Sequence, residues 1–233
     1  AALDSIVKNV GGAATSLSDV AGARGDGVVY ADMSRAALQL FEVTGNQRFL
    51  EQAKAWTQVL DTHFWDNRIN GYCFYADDAE PLFVRPRMVF DNPAPSVNGT
   101  MLFVLTKLAL LTGNTEYMGR ASTLANTFGN EANRMLNGAG TYLAGLEYLL
   151  NSLEILVIGH KGHAKTQELM RAYWGKTVPS GMVVQLEPGE PLPPGHPATG
   201  RGMQGGHPTA YIVQAGNCSE GITNANDLAW ALT

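Results

Sequence analysis

Leu40-Phe-Glu-Val-Thr-Gly-Asn46 and Leu108-Ala-Leu-Leu-Thr-Gly-Asn114 are one phrase written twice, 68 residues apart. After each copy the apolar positions recur at the same offset. They are Phe49, Leu50, Ala53, Trp56, Thr57 and Leu60 in the first, and Tyr117, Met118, Ala121, Leu124, Ala125 and Phe128 in the second. A spacing of i, i+1, i+4, i+7, i+8 and i+11 marks one face of a helix. The Thr-Gly-Asn joint has a mechanical meaning. Glycine accepts the left-handed conformation that ends a helix, and the asparagine that follows caps the next one. Each copy therefore predicts an αα-hairpin, with first helices over about Tyr30–Val43 and Asn98–Leu111. A last helix, about Thr141–Leu150, would open a further hairpin.

The long connection Phe64–Asn98 holds Gly71-Tyr-Cys-Phe-Tyr-Ala76 and Pro81-Leu-Phe-Val84 around an acidic turn, Asp77-Asp78-Ala79-Glu80, and reads as a short β-hairpin. Connections of that length are functional or face a partner. From Leu153 the pattern changes. Leu153-Glu-Ile-Leu-Val-Ile158 is a buried-type strand, His163–Trp174 a helix and Met182-Val-Val-Gln-Leu186 a second strand, which makes a βαβ unit. Glu187–Pro208 carries six prolines and six glycines in 22 residues and reads as loop or disorder. Thr209-Ala-Tyr-Ile-Val213 is a third strand, and Asn224–Leu232 a closing helix.

The chain has 233 residues, 45% of them apolar and 16% charged, with a net charge of −5. No cluster of Lys and Arg is present, which argues against nucleic acid or an anionic membrane as partner. Lys107 interrupts the longest apolar run, so no membrane span is expected. Two distant cysteines, Cys73 and Cys218, outside any CxxC pair, suit a reduced, cytoplasmic protein better than a disulfide framework. Two sequons, at Asn98 and Asn217, have no signal peptide to support their use. Ala1-Ala2 opens directly on a helical pattern (Leu3, Ile6, Val7, Val10), which reads as a fragment or a processed product.

The residue order Thr-Gly-Asn helix, Phe64-Trp-Asp66, Asn70-Gly-Tyr72, Val84-Arg-Pro-Arg87, Asp91-Asn-Pro-Ala-Pro-Ser-Val-Asn98, second Thr-Gly-Asn helix, Ile155-Leu-Val-Ile-Gly159 and Ala210-Tyr-Ile-Val213 resembles the thioredoxin-domain-containing, spermatogenesis-associated protein family. The likeness spans roughly 27–233. In that family a thioredoxin-like domain precedes an α/α toroid akin to the six-hairpin glycosidases and N-acylglucosamine epimerases, and the likeness implies that this chain lacks that domain and the first part of the toroid. On that footing the fold class is mostly α: an incomplete toroid of tandem hairpins over 1–152, then a small α/β unit over 153–233. Two departures stand out. Val28-Val29 occupy the place of an acidic pair, and Asn92 and Val97 replace glycines that would admit a ligand closely.

The candidate chemistry centres on Asp91 as a catalytic carboxylate, with Arg85, Arg87, Ser96, Asn98, Trp65 and Tyr72 as substrate-binding residues. In one reading these form the polar floor and stacking platforms of a sugar-sized pocket at the toroid mouth. In the other, Ser96 or Asn98 caps a helix, Asp91 fixes the loop, the arginines form surface pairs, and Trp65, Tyr72, Phe74 and Tyr75 are hairpin core. His160 and His163 follow a strand end, where α/β folds bind ligands, but lack a third ligand. No metal and no cofactor is expected. Asp66, Asp77, Asp78 and Glu80 are the local substitutes for a second acid. The chain reads either as a non-catalytic interaction module or as a carbohydrate-active isomerase, epimerase or hydrolase. Two hairpins cannot bury their own flanks, so a homo-oligomer or the missing N-terminal part of a parent chain is the expected partner, with a carbohydrate as the alternative ligand.

Overall fold

The computed structural model describes residues 26–79 and 84–233. The opening helical pattern, Glu80 and the Pro81–Phe83 arm of the expected β-hairpin lie outside them. Among the described residues are seven α-helices and six strands, and the chain divides into two compact units. One takes the described residues up to Leu110 together with Asn114–Leu149. The other takes Leu111–Gly113 together with Leu150–Thr233.

In the first unit, α1 (Gly27–Thr44) and α2 (Gln47–His63) form one hairpin, α3 (Val97–Thr112) and α4 (Thr115–Arg134) form another, and α5 (Gly140–Asn151) follows. The repeated joint behaves as its residues dictate. Gly45 sits at φ 63° and Gly113 at φ 69°. Gly45 N–H closes on the Phe41 carbonyl at 2.7 Å, and Asn46 and Asn114 accept from Arg48 N–H and Glu116 N–H at 3.1 and 2.9 Å. The matched faces are buried, with Trp56, Leu60, Leu124 and Phe128 all inaccessible. α3 is apolar nearly all round and buried along most of its length, the mark of a central helix. At its start it meets α5 with almost no space between backbones: a Cβ on Gly99 would lie 2.6 Å from Tyr142 N, and one on Gly145 2.7 Å from the Gly99 carbonyl.

One polar pair breaks this apolar interior. Lys107 on α3 and Glu42 on α1 meet at 2.5 Å with side chains 2% and 6% exposed. The Lys107 ammonium lies over the rings of Phe103 and Tyr148. Burial pushes its pKa down from the ordinary lysine value, against the pull of Glu42.

Gly71–Tyr72 does extend, and its partner among the described residues precedes it in the chain. β1 (Trp65–Asp66) pairs antiparallel with β2 (Gly71–Tyr72), Trp65 opposite Tyr72, so the ladder closes around Asn67–Asn70. Asn70, at φ 52°, takes the left-handed position that turn needs.

The second unit is a four-stranded sheet in the order β4-β3-β5-β6. β3 (Leu153–Ile158) runs parallel to β4 (Gly181–Leu186) through the crossover helix α6 (Ala164–Trp174), and antiparallel to β5 (Thr209–Gln214), which pairs with β6 (Asn217–Cys218). The closing helix α7 is Ala225–Ala231, capped by Asn224. β3 is buried on both faces, which explains its unbroken apolar run. Ile155 and Val157 pack with Leu169, Tyr173 and Leu228 from the helices. Leu156 and Ile158 pack with Ala198, Leu192 and Met203 from residues 187–208. That Pro- and Gly-rich stretch is an ordered strap over one sheet face. Its prolines and glycines set the turns that let it lie flat. His196 Nε2 meets Glu154 Oε2 at 2.8 Å, and Tyr211 Oη donates to the Gly202 carbonyl at 2.6 Å.

Candidate functional site

The Asp91–Asn98 stretch leads into α3, and its polar groups turn inward to the backbone. Ser96 Oγ accepts from Gly99 N–H at 3.1 Å and caps α3. Asp91 uses both oxygens: Oδ1 accepts from Ser96 N–H and Oδ2 from Thr141 N–H, each at 2.9 Å. The second bond reaches the first turn of α5, where a carboxylate also suits the helix dipole. Asn98 is fully buried. Its Oδ1 accepts from Tyr72 N–H at 2.8 Å, and its Nδ2 donates to the Tyr72 and Met88 carbonyls at 3.0 Å each. The side chain thus pairs with Tyr72 as a neighbouring strand would.

Arg85 closes the end of α2. Its Nη2 donates to the His63 carbonyl at 2.8 Å, and Nε and Nη2 donate to the Tyr75 carbonyl at 3.0 and 2.8 Å. Arg87 is exposed, its guanidinium 5.5 Å from the centre of the Phe128 ring. Trp65 Nε1 donates to Asn67 Oδ1 at 2.8 Å, and its ring meets Tyr72 edge-on, centres 5.0 Å apart. Among the described residues a niche of about 30 Å³ lies near Asp91, lined by Val28, Tyr72, Phe74, Met88, Phe90 and Val97 among others. That is room for about one water, not a sugar ring. The carbohydrate reading finds no support in it.

The other carboxylates are engaged locally. Asp66 binds Arg68 at 2.7 Å, and that guanidinium holds its carboxyl at about 2. Asp77 and Asp78 lie 3.0 and 3.6 Å from His63 Nδ1, and all three side chains are half-buried or exposed. This is a group of metal-ligand type among the described residues, and it holds together by hydrogen bonding as it stands. His160 instead meets Glu187 at 3.0 Å, and His163 precedes α6 without a side-chain cap. Neither thiol is bridged, and burial pushes Cys73 up.

Residue patterns alone missed a tighter cluster. Tyr72 Oη donates to Asp61 Oδ1 at 2.5 Å, Arg120 Nη1 lies 3.3 Å from the same oxygen, and the Arg120 guanidinium stacks 4.6 Å over Trp65. Burial raises the Asp61 carboxyl, although Tyr72 and Arg120 both stabilise its charge. The signal was available in the repeat: the 68-residue offset sets Asp61 opposite Gly129 and Arg120 opposite Gln52, so both charges are departures. Asp32 was missed too. It sits one turn beyond Val28-Val29, accepts from Thr100 Oγ1 at 3.4 Å, and is raised by burial.

No family model matches the chain. Spermatogenesis-associated protein 20 of Rattus norvegicus is 27% identical over 164 residues, 70% of this chain and 21% of that protein. The Homo sapiens protein of that name is 26% identical over 208 residues, 85% of this chain and 26% of its own length. The Mus musculus protein is 27% identical over 164 residues. The chain therefore spans about a quarter or less of the length of these relatives, and over most of its own length it is a distant homologue of spermatogenesis-associated protein 20.

Proposed function

We infer that the helical unit is a non-catalytic interaction module whose hairpins descend from an α/α toroid. The observation that carries this reading is the state of Asp91, whose two oxygens both serve backbone N–H groups beside a niche of water size. A glycosidic or epimerising acid needs an open substrate space with a second carboxylate about 5–10 Å across it. Support for a partner comes from Val43, Met135 and Leu136, which stand 62%, 58% and 52% exposed at helix ends. Apolar flanks of stacked hairpins are covered by further hairpins or by another copy. The partner is accordingly a second copy of this chain or the remainder of a longer parent chain.

The test has two arms. The chain and Asp91→Asn are incubated with a panel of N-acetylhexosamines and disaccharides, and the chain alone is followed by sedimentation equilibrium. The expected result is no turnover by either protein and a mass that rises with concentration. Turnover that disappears in Asp91→Asn would overturn the non-catalytic reading. A compact monomer at every concentration would count against self-pairing.

A further inference from the structure

In the second unit, a cleft of about 340 Å³ lies under the strap, within the roughly 300–1,000 Å³ that small-molecule sites occupy. It opens at the carboxyl ends of the two parallel strands, for Ile158 ends β3, Leu186 ends β4, and both line it. In sheets with crossover helices this edge is the place where ligands bind. Leu192 from the strap extends the apolar wall.

The polar lining is uneven. Glu187 is engaged: Oε1 accepts from Lys161 N–H at 2.7 Å and Oε2 meets His160 Nδ1 at 3.0 Å. Glu190 accepts Glu187 N–H through Oε2 at 2.9 Å, and its Oε1 has no partner among the described residues. Arg201 is the one cation in the described lining. Its guanidinium lies 5.6 Å over the Tyr211 ring, and no carboxylate among the described residues is within ion-pair distance. A stacked arginine keeps its N–H fork open at the edge, the geometry that takes a carboxylate with two parallel hydrogen bonds. The wall that carries it is held in advance. Arg201 N–H bonds the Ala198 carbonyl at 3.0 Å, Ala198 N–H donates to His196 Nδ1 at 3.1 Å, and His196 is fastened to buried Glu154. Such preorganisation reduces the ordering cost of binding.

We propose that this cleft binds a small zwitterion with an apolar body, namely an α-amino acid with an aliphatic side chain. Its carboxylate meets Arg201, its ammonium meets Glu190, and its side chain lies on Ile158, Leu186 and Leu192. Charge selects the zwitterion over a simple acid. Two carboxylates line the cleft beside one guanidinium, so a ligand bearing only a carboxylate meets net repulsion, whereas an ammonium is matched.

The test is calorimetric titration of the full 233-residue chain with L-leucine, 4-methylpentanoate (no ammonium) and 3-methylbutylamine (no carboxylate). Leucine should bind, with each analogue about tenfold weaker or worse, and Arg201→Ala should weaken leucine about tenfold. Glu190→Gln should abolish the preference for leucine over 4-methylpentanoate. In parallel, the Arg201 Nε–H resonance of the unmodified chain should shift on adding leucine, a readout that needs no variant. Absence of leucine binding, equal binding of 4-methylpentanoate, or unchanged affinity in Arg201→Ala would each overturn the proposal.

Discussion

Asn98, Ser96 and Asp91 carry polar groups of the kind that chemistry uses, and each is turned to the backbone. What decides between the two roles is the partner, and a partner is a matter of three dimensions. The cap at Ser96 was legible, since a serine before an apolar run is an ordinary helix start. The reach of Asp91 to Thr141 across 50 residues, and of Asn98 to Tyr72 across 26, was not, because nothing in local spacing encodes it. The Asp61 cluster offers a test by pH. Its carboxyl titrates above the ordinary 3.8 in the folded chain, so between 3.8 and that raised value the folded state holds more proton than the unfolded one. Stability from this group is therefore full at acid pH and falls as pH rises through the window. The margin of the wild type over Asp61→Asn in urea unfolding should shrink as pH rises from about 3.5 towards neutrality. A margin that widens over that range would contradict the assignment.

At the scale of elements, the Thr-Gly-Asn repeat placed both hairpins, because a helix end, a left-handed glycine and a cap are all local demands. Gly45 is held at φ 63°, where a side chain is strained, so Gly45→Ala should cost about 1 kcal/mol in equilibrium unfolding and Gly45→Asn less. A neutral alanine would mean the turn does not need that conformation. Asn70 takes the left-handed conformation and closes a ladder between Trp65–Asp66 and Gly71–Tyr72 that the residue pattern did not announce, while the Pro81–Phe83 arm expected beyond the acidic turn lies outside the described residues. Lys107 seemed only to interrupt an apolar run. It is one half of a buried ion pair whose other half, Glu42, lies 65 residues away. Removing one partner leaves a buried charge, so Glu42→Leu alone should cost about 3–5 kcal/mol, while Glu42→Leu with Lys107→Met should be near neutral. Equal losses in the single and double variants would refute this coupling.

At the scale of the whole chain, the two units follow different rules. The helical unit repeats by a fixed offset, and the sheet unit follows the handed βαβ pattern. The strap is the loop that one of the two readings of its composition expected, and the other, disorder, counts prolines and glycines without asking what lies beneath them. Its buried Ala198, with Leu192 and Met203 half-buried beside it, supplies the answer, covering a sheet face that β3 needs covered. No helix among the described residues is long and apolar enough to cross a membrane. The Asp91–Asn98 motif is architecture, with Asp91 tying the loop before α3 to the start of α5. Native-state hydrogen exchange at Ser96 and Thr141 measures this most directly, comparing the wild type with Asp91→Ala after circular dichroism confirms helix content. Both amides should be protected in the wild type and lose protection together in the variant. Unchanged protection at both positions would contradict it.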